Sequence, residues 1–234
     1  MRVISVVLAG ESGSVTEVVE IGPTSLVRHR QWANLQPLAE GCTQAGLSAT
    51  ILPSGALPGD LVSPTVWLLS DLPFLAAESF GILDRLAIDV PTHSGLVMIG
   101  GAFSFSGLKA VGGWQDPRGA ALLPVEPMSG ADDTEAPAGV RLVPAPDCPR
   151  EFASLLGDAP PFFGYNRLRL KRGSRLLARF DDGQPALVVG ATTPCRTVAF
   201  ASDLLPHWGP TVAAWDRFPG FLGALCSLAA GEPR

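Results

Sequence analysis

Lysine is almost missing from this chain: Lys109 and Lys171 are its only two, and the 17 basic residues are outnumbered by 22 acidic ones for a net charge of −5. No basic run can neutralise a series of phosphates, so nucleic acid is not expected as a partner. Cysteine is sparse, and Cys42, Cys148, Cys195 and Cys226 match neither a CxxC pair nor a Cys/His metal spacing. Neither a metal nor another cofactor is expected. Long apolar runs are absent too, because Gly, Pro and charges interrupt every apolar stretch before it nears the roughly 18 residues of a membrane span. No membrane partner is expected. The opening MRVISVVLAGES has no basic leader and no cleavage pattern, which with scattered thiols predicts a soluble cytoplasmic protein.

What is present is apolar and layered. With 47% hydrophobic residues, 234 residues can bury a sizeable core, and one domain over residues 1–234 is the simplest organisation. Val3–Ala9 is a short continuous apolar run that suits a strand covered on both faces. From Gln31 to Gly46 the residues Trp32, Leu35, Leu38, Cys42 and Ala45 form a helical stripe that begins or bends at Pro37. Ala49–Leu52, Thr65–Leu69 and Leu96–Ile99 read as strands, and Phe74–Ile88 as a helix between the last two. This alternation predicts an α/β fold of the flavodoxin-like class, a mostly parallel sheet with helices on both faces.

A Gly/Pro-rich middle section follows Gly107, with short strands expected at Ala120–Val125, Val140–Val143, Arg167–Leu170 and Leu176–Phe180 as extended or antiparallel additions. Ala186–Ala191 and Thr197–Ala201 then predict a β-hairpin, and Trp215–Ala230 a closing helix.

Ligands of open parallel sheets bind outside the carboxyl ends of the strands. In this sequence those ends run into Glu11-Ser12, Ser70-Asp71, Gly100-Gly101 and Ser202-Asp203, with His207 four residues beyond Asp203. A histidine beside carboxylates can run acid–base chemistry; equally, Ser-Asp after a strand commonly caps a turn. The diglycine can expose backbone N–H groups to a ligand or form only a sharp turn. It lacks the spacing of a nucleotide phosphate loop. Trp114 and Trp208 can line a pocket, cover a core edge or contact a second copy of the chain. The run Asp132-Asp133-Thr134-Glu135 reads as a solvated loop.

The segments GLVMIGGAFSFSG, GGWQDPRGAALLPVEP, PPFFGYNRLR and VAFASDLLPHWGP together resemble the glutamine amidotransferase-like family, the class I amidotransferase-like domain of bacterial cytosolic proteins. The resemblance spans most of the chain and implies a flavodoxin-like core. Active class I amidotransferases carry a nucleophilic cysteine at a strand-to-helix elbow, assisted by a histidine and a carboxylate near the end of the domain. Here Gly100, Gly101 and Ala102 occupy the elbow, so no thiolate can form there, and Ser202-Asp203 stands where the histidine belongs.

Two functions from different classes follow. One is a pseudoenzyme that binds a small metabolite or acts as an accessory subunit, with a ligand against Glu11, Asp71, Gly100, Gly101, Ser104, Ser106, Trp114 and Trp208. The other is an enzyme acting on a small carbonyl or amide substrate, with His207 and Asp203 as acid–base pair. Ser104 or Ser106 replacing the lost nucleophile would need both a base and an oxyanion hole. A homo-oligomer is compatible with either function.

Overall fold

The protein is described by a computed structural model covering residues 3–10, 14–21, 24–31, 35–52, 64–191 and 196–231. The first half contains β1 (Ser5–Gly10), β2 (Ser14–Ile21), β3 (Thr24–Gln31), α1 (Gln36–Gln44), β4 (Ser48–Ile51), β5 (Val66–Ser70), α2 (Phe74–Ser79), α3 (Ile82–Thr92) and β6 (Gly95–Ile99). The second adds α4 (Pro117–Leu122), β7 (Val125–Glu126), β8 (Asp133–Val140), β9 (Leu142–Pro144), α5 (Arg150–Gly157) and β10 (Phe162–Asn166). It ends with β11 (Arg169–Leu170), β12 (Arg175–Phe180), β13 (Pro185–Ala191), β14 (Arg196–Phe200) and α6 (Phe218–Ala230).

Eight strands form the central sheet in the order β4-β1-β5-β6-β14-β13-β12-β9. The first five are parallel, and their winding reproduces the 2-1-3-4-5 order of flavodoxin-like folds. The last three are antiparallel. Every residue of β5 and β6 is buried, as short apolar runs covered on both faces require. Helices lie on both faces, so the expected α/β, flavodoxin-like architecture is the observed one.

Local departures have local causes. The segment expected to be helical from Gln31 is strand at Gln31, the end of an antiparallel β2–β3 hairpin, and α1 starts only at Gln36 with Pro37 in its first turn. Proline is suited to that place because its missing N–H costs nothing there. The helix expected over Phe74–Ile88 is two helices, broken where Gly81 adopts a left-handed φ of 67°. The strand expected at Ala120–Val125 is instead the end of α4 over its first three residues, with only Val125 in the two-residue β7. Asp116 caps that helix by accepting the Arg118 amide at 2.9 Å, and Pro117 pre-sets its first φ. The acidic run from Asp132 is no solvated loop, since it leads into β8, which pairs with β10. The hairpin over β13 and β14 is as expected, and the closing helix starts at Phe218 rather than Trp215.

Candidate functional site

Because β5, β6 and β14 are parallel neighbours in register, Ser70 beside Ile99 and Ile99 beside Phe200, their carboxyl ends deliver Asp71, Gly100-Gly101 and Asp203 to one edge. β1 ends at the same edge, but Glu11, which follows it, lies outside the described residues.

The diglycine turn is packed from both sides. A Cβ on Gly100 would sit 2.6 Å from Asn166 Oδ1 and 2.7 Å from the Ala201 carbonyl; one on Gly101, where φ is +153°, would sit 2.4 Å from Asp71 Oδ1. Only glycine fits either place. The Gly101 amide donates to Asn166 Oδ1 at 2.9 Å, and Asn166 Nδ2 donates to the Gly101 carbonyl at 3.1 Å and to Asp132 Oδ1 at 2.8 Å. Asp132 also accepts the amides of Ser106 at 2.9 Å and Gly107 at 2.8 Å. Both side chains are fully buried. Burial pushes the Asp132 pKa up, while its bonds from Asn166, Ser106 and Gly107 pull it down.

The serines of the turn are committed elsewhere. Ser104 Oγ donates to the Ile99 carbonyl at 2.5 Å and Ser106 Oγ to the Met128 carbonyl, and both residues are fully buried. Neither hydroxyl proton is directed at a base, so the arrangement required of a serine nucleophile is missing from these two bonds. Trp114 is also fully buried, with its indole N–H donated to the Leu72 carbonyl at 2.7 Å and its ring edge-on to Phe74. It braces the turn, since its own amide donates to the Phe105 carbonyl at 3.0 Å.

Asp71 and Asp203 form the acidic part of the edge. Asp71 has a positive φ of 51°, uncommon for a residue with a Cβ, and its Oδ1 accepts the Phe103 amide at 2.6 Å. Asp203 is 2% exposed, and its Oδ1 accepts the Leu205 amide at 2.8 Å. Burial, reinforced by the Asp71 charge and opposed by the Leu205 and Leu204 amides, pushes the Asp203 pKa up to about 8. Asp203 therefore keeps its proton into the neutral range beside the charge of Asp71. Next to them, Ser70 Oγ is buried without a hydrogen-bond partner among the described residues.

His207 faces a different carboxylate. Its ring stacks on Trp208 with centroids 4.9 Å apart, and its Nε2 lies 4.0 Å from Glu135 Oε1 on β8. Partial burial lowers the His207 pKa, with Glu135 and Asp133 opposing. Trp208 is 1% exposed and donates its indole N–H to the same Glu135 oxygen at 3.0 Å. The structure thus pairs Asp203 with Asp71, and His207 with Glu135 and Trp208. Ser202, beside Asp203, donates to the Gly164 carbonyl at 2.7 Å and helps seat β10 over the edge.

Asn166 and Asp132 are central to the site. From the sequence, Tyr165-Asn166 in FFGYN reads either as approaching the cleft from the middle section or as a turn with a buried phenol, whereas nothing local distinguishes Asp132 from Asp133, because its partners are 25 and more residues away. Among the described residues, no group of three His, Cys, Asp or Glu side chains is placed to hold a metal ion.

The sheet order and the strand-end turn define a protein of the class I amidotransferase-like α/β type. A profile for the family described as "Putative glutamine amidotransferase" matches residues 59–225, and the chain belongs to that family. Among solved structures it is similar to the cytoplasmic protein STM1381 of Salmonella typhimurium LT2, with 25% identity and a TM-score of 0.84 over 97% of this chain and 100% of that one. It is also similar in fold to the cytoplasmic protein STM3548 of Salmonella typhimurium, with 24% identity and a TM-score of 0.82 over 96% of this chain and 98% of that one. No curated protein matches the sequence significantly. No described helix is long and apolar enough to cross a membrane.

Proposed function

We propose that this chain is a single-domain, cytoplasmic amidotransferase-like protein that binds a small metabolite at the carboxyl edge of its sheet and does not hydrolyse glutamine. The observation that carries the reading is the fate of the elbow. No cysteine stands at Gly100-Gly101-Ala102, and the Gly101 amide, a natural donor to a reacting carbonyl, is held by Asn166 instead. The one buried hydroxyl without a hydrogen-bond partner among the described residues, Ser70 Oγ, lies one strand over, at the end of β5. Flavodoxin-like sheets bind ligands at the switch point between their first and third strands, which here are β1 and β5. Beside that point sit the buried Ser70 hydroxyl, the positive-φ Asp71 and the protonated Asp203. One carboxylate, one carboxylic acid and a hydroxyl suit a ligand that both donates and accepts hydrogen bonds, as an amide or amino acid does.

Two measurements test this. Purified protein incubated with L-glutamine should release no ammonia; release that is lost on replacing one of the four cysteines overturns the reading. Native mass spectrometry should find a small molecule retained by the wild type and lost from Asp71→Asn, and equal retention by both removes the site from this edge.

The second reading, an enzyme using His207 as acid or base, is favoured by one observation, the 4.0 Å approach of its Nε2 to Glu135. Its carboxylate partner is then Glu135 rather than Asp203. Loss of a neutral-pH limb from the rate profile in His207→Gln would support it, and unchanged turnover would remove it.

A further inference from the structure

At the opposite end of the sheet a second cavity, of about 470 Å³, opens between α5, α6 and the starts of β12 and β14. Three arginines line it, Arg150, Arg175 and Arg196, with a single carboxylate, Glu151. Sheet register explains why two of them converge. Arg175 pairs with Val189 of β13 from one side, and Arg196 pairs with Ala191 from the other. Directly opposed residues share a face, and Val189 and Ala191 are two apart on one strand, so both arginines project to the same face of the sheet. Arg150 enters from the first turn of α5. Among the described residues none of the three guanidiniums has an ion-pair or hydrogen-bond partner, whereas those of Arg85, Arg118 and Arg217 each do. The rest of the wall includes Phe152, Leu155 and Leu228.

We propose that this cavity binds a small amphipathic organic anion, an oxyanion headgroup carried on a short apolar body. An excess of two positive charges in a chain of net charge −5 is a local inversion of the protein's field, and it concentrates anions where the rest of the surface repels them. Guanidinium groups recognise carboxylate and phosphate oxygens through paired N–H donors. The apolar wall has no use for a bare inorganic anion but covers the methylene or ring portion of an organic one. The volume lies within the range of small-molecule sites, and the cationic patch is one concavity rather than a strip, which fits a compact ligand better than a polyanion. The site does not depend on the reading of the carboxyl edge, because Arg196 begins β14 whereas Asp203 lies just past its other end.

Calorimetric titration with hexyl phosphate, hexanoate, inorganic phosphate and hexan-1-ol tests both halves of the proposal and separates the two headgroups. The expected result is saturable one-to-one binding of hexyl phosphate or hexanoate, at least tenfold tighter than hexan-1-ol and than inorganic phosphate. Arg175→Gln and Arg196→Gln, changes at an exposed and a half-buried position with unaltered thermal midpoints, should each weaken that binding about tenfold, which is the loss of about one charged hydrogen-bond pair. Asp203→Asn should leave it unchanged. Three results would each overturn the proposal: no saturable binding of either amphiphile at about 1 mM, equal affinity for inorganic phosphate and hexyl phosphate, or affinity unchanged in the Arg175→Gln and Arg196→Gln double variant.

Discussion

The two ends of β14 lie a few residues apart in sequence and are built on opposite plans. Beyond its carboxyl end, Asp203, Asp71, Asn166 and Asp132 are all buried and bonded to named partners. At its amino end, Arg196 joins two other arginines around an open cavity with no described partner. The first place spends most of its bonds on holding the protein's own backbone, and the Ser70 hydroxyl is the buried side-chain group there that lacks a partner among the described residues. The second has few internal bonds and a surplus of charge. Polar residues in a cleft are therefore a weak sign of function until their partners are counted, since a satisfied cluster stabilises a fold and an unsatisfied one awaits a ligand.

The sharpest way to break this comparison is to empty the satisfied end. Asn166→Ala removes one side chain that serves the Gly101 amide, the Gly101 carbonyl and Asp132 together, leaving three buried polar groups without it. Urea unfolding should show a loss of about 3–5 kcal/mol, and a loss under about 1 kcal/mol would mean the turn does not depend on Asn166. Gly101→Cys, which restores a thiol to the elbow, should also destabilise by a few kcal/mol, because its Cβ meets Asp71 at a φ of +153°. Ammonia release from glutamine by that variant would show that the elbow is an active site lacking only its nucleophile.

Acid titration probes the same end more gently. The folded chain keeps the Asp203 proton up to about pH 8, whereas an unfolded chain loses it near the ordinary carboxylate value, so the folded state binds more protons in between. Stability should accordingly be full below that ordinary value and fall with rising pH through about 8, by at most about 1.4 kcal/mol per pH unit. Asp203→Asn keeps the acceptor for Leu205 and should flatten the decline, leaving the smaller contribution of Asp132, whose pKa burial also raises. A slope that is the same in both proteins would place the proton elsewhere. The smallest effect is expected from His207→Gln, under about 0.5 kcal/mol, as the ring is only partly buried and its Nε2 stands 4.0 Å from Glu135. Its depressed pKa gives a weak opposite trend, stability rising with pH through the imidazole range, that the variant should lose.

The parallel half of the sheet was readable from composition because β5 and β6 are buried on both faces and spell unbroken apolar runs such as VWLL and LVMI. The strand ends were readable for the same reason, since a run that stops abruptly at Ser70-Asp71 or Gly100-Gly101 marks its own edge. The middle section was harder. Its strands are short, β7 and β11 having two residues each, too few for a period to register. The cap made by Asp116 and Pro117 did carry a helix signal, outweighed by the apolar residues that follow it. Partner choice was least legible of all: His207 meets Glu135 rather than Asp203 because β8 and β10 fold over the edge, and that pairing is fixed by residues far apart in the chain.

Three indoles are sealed in different layers of the molecule, each with its N–H engaged: Trp67 by Asp89 at 3.1 Å, Trp114 by Leu72, and Trp208 by Glu135. Each is less than 2% exposed, so the emission of these three should be blue-shifted and nearly immune to iodide quenching, in contrast to that of the half-buried Trp215. Trp67 reports on the parallel sheet, Trp114 on the brace beneath the diglycine turn and Trp208 on the β8–β10 cover. Single Trp→Phe replacements would turn the protein's own fluorescence into a map of which layer opens first, with a red shift carried by Trp208 alone marking the cover lifting while the sheet stays closed.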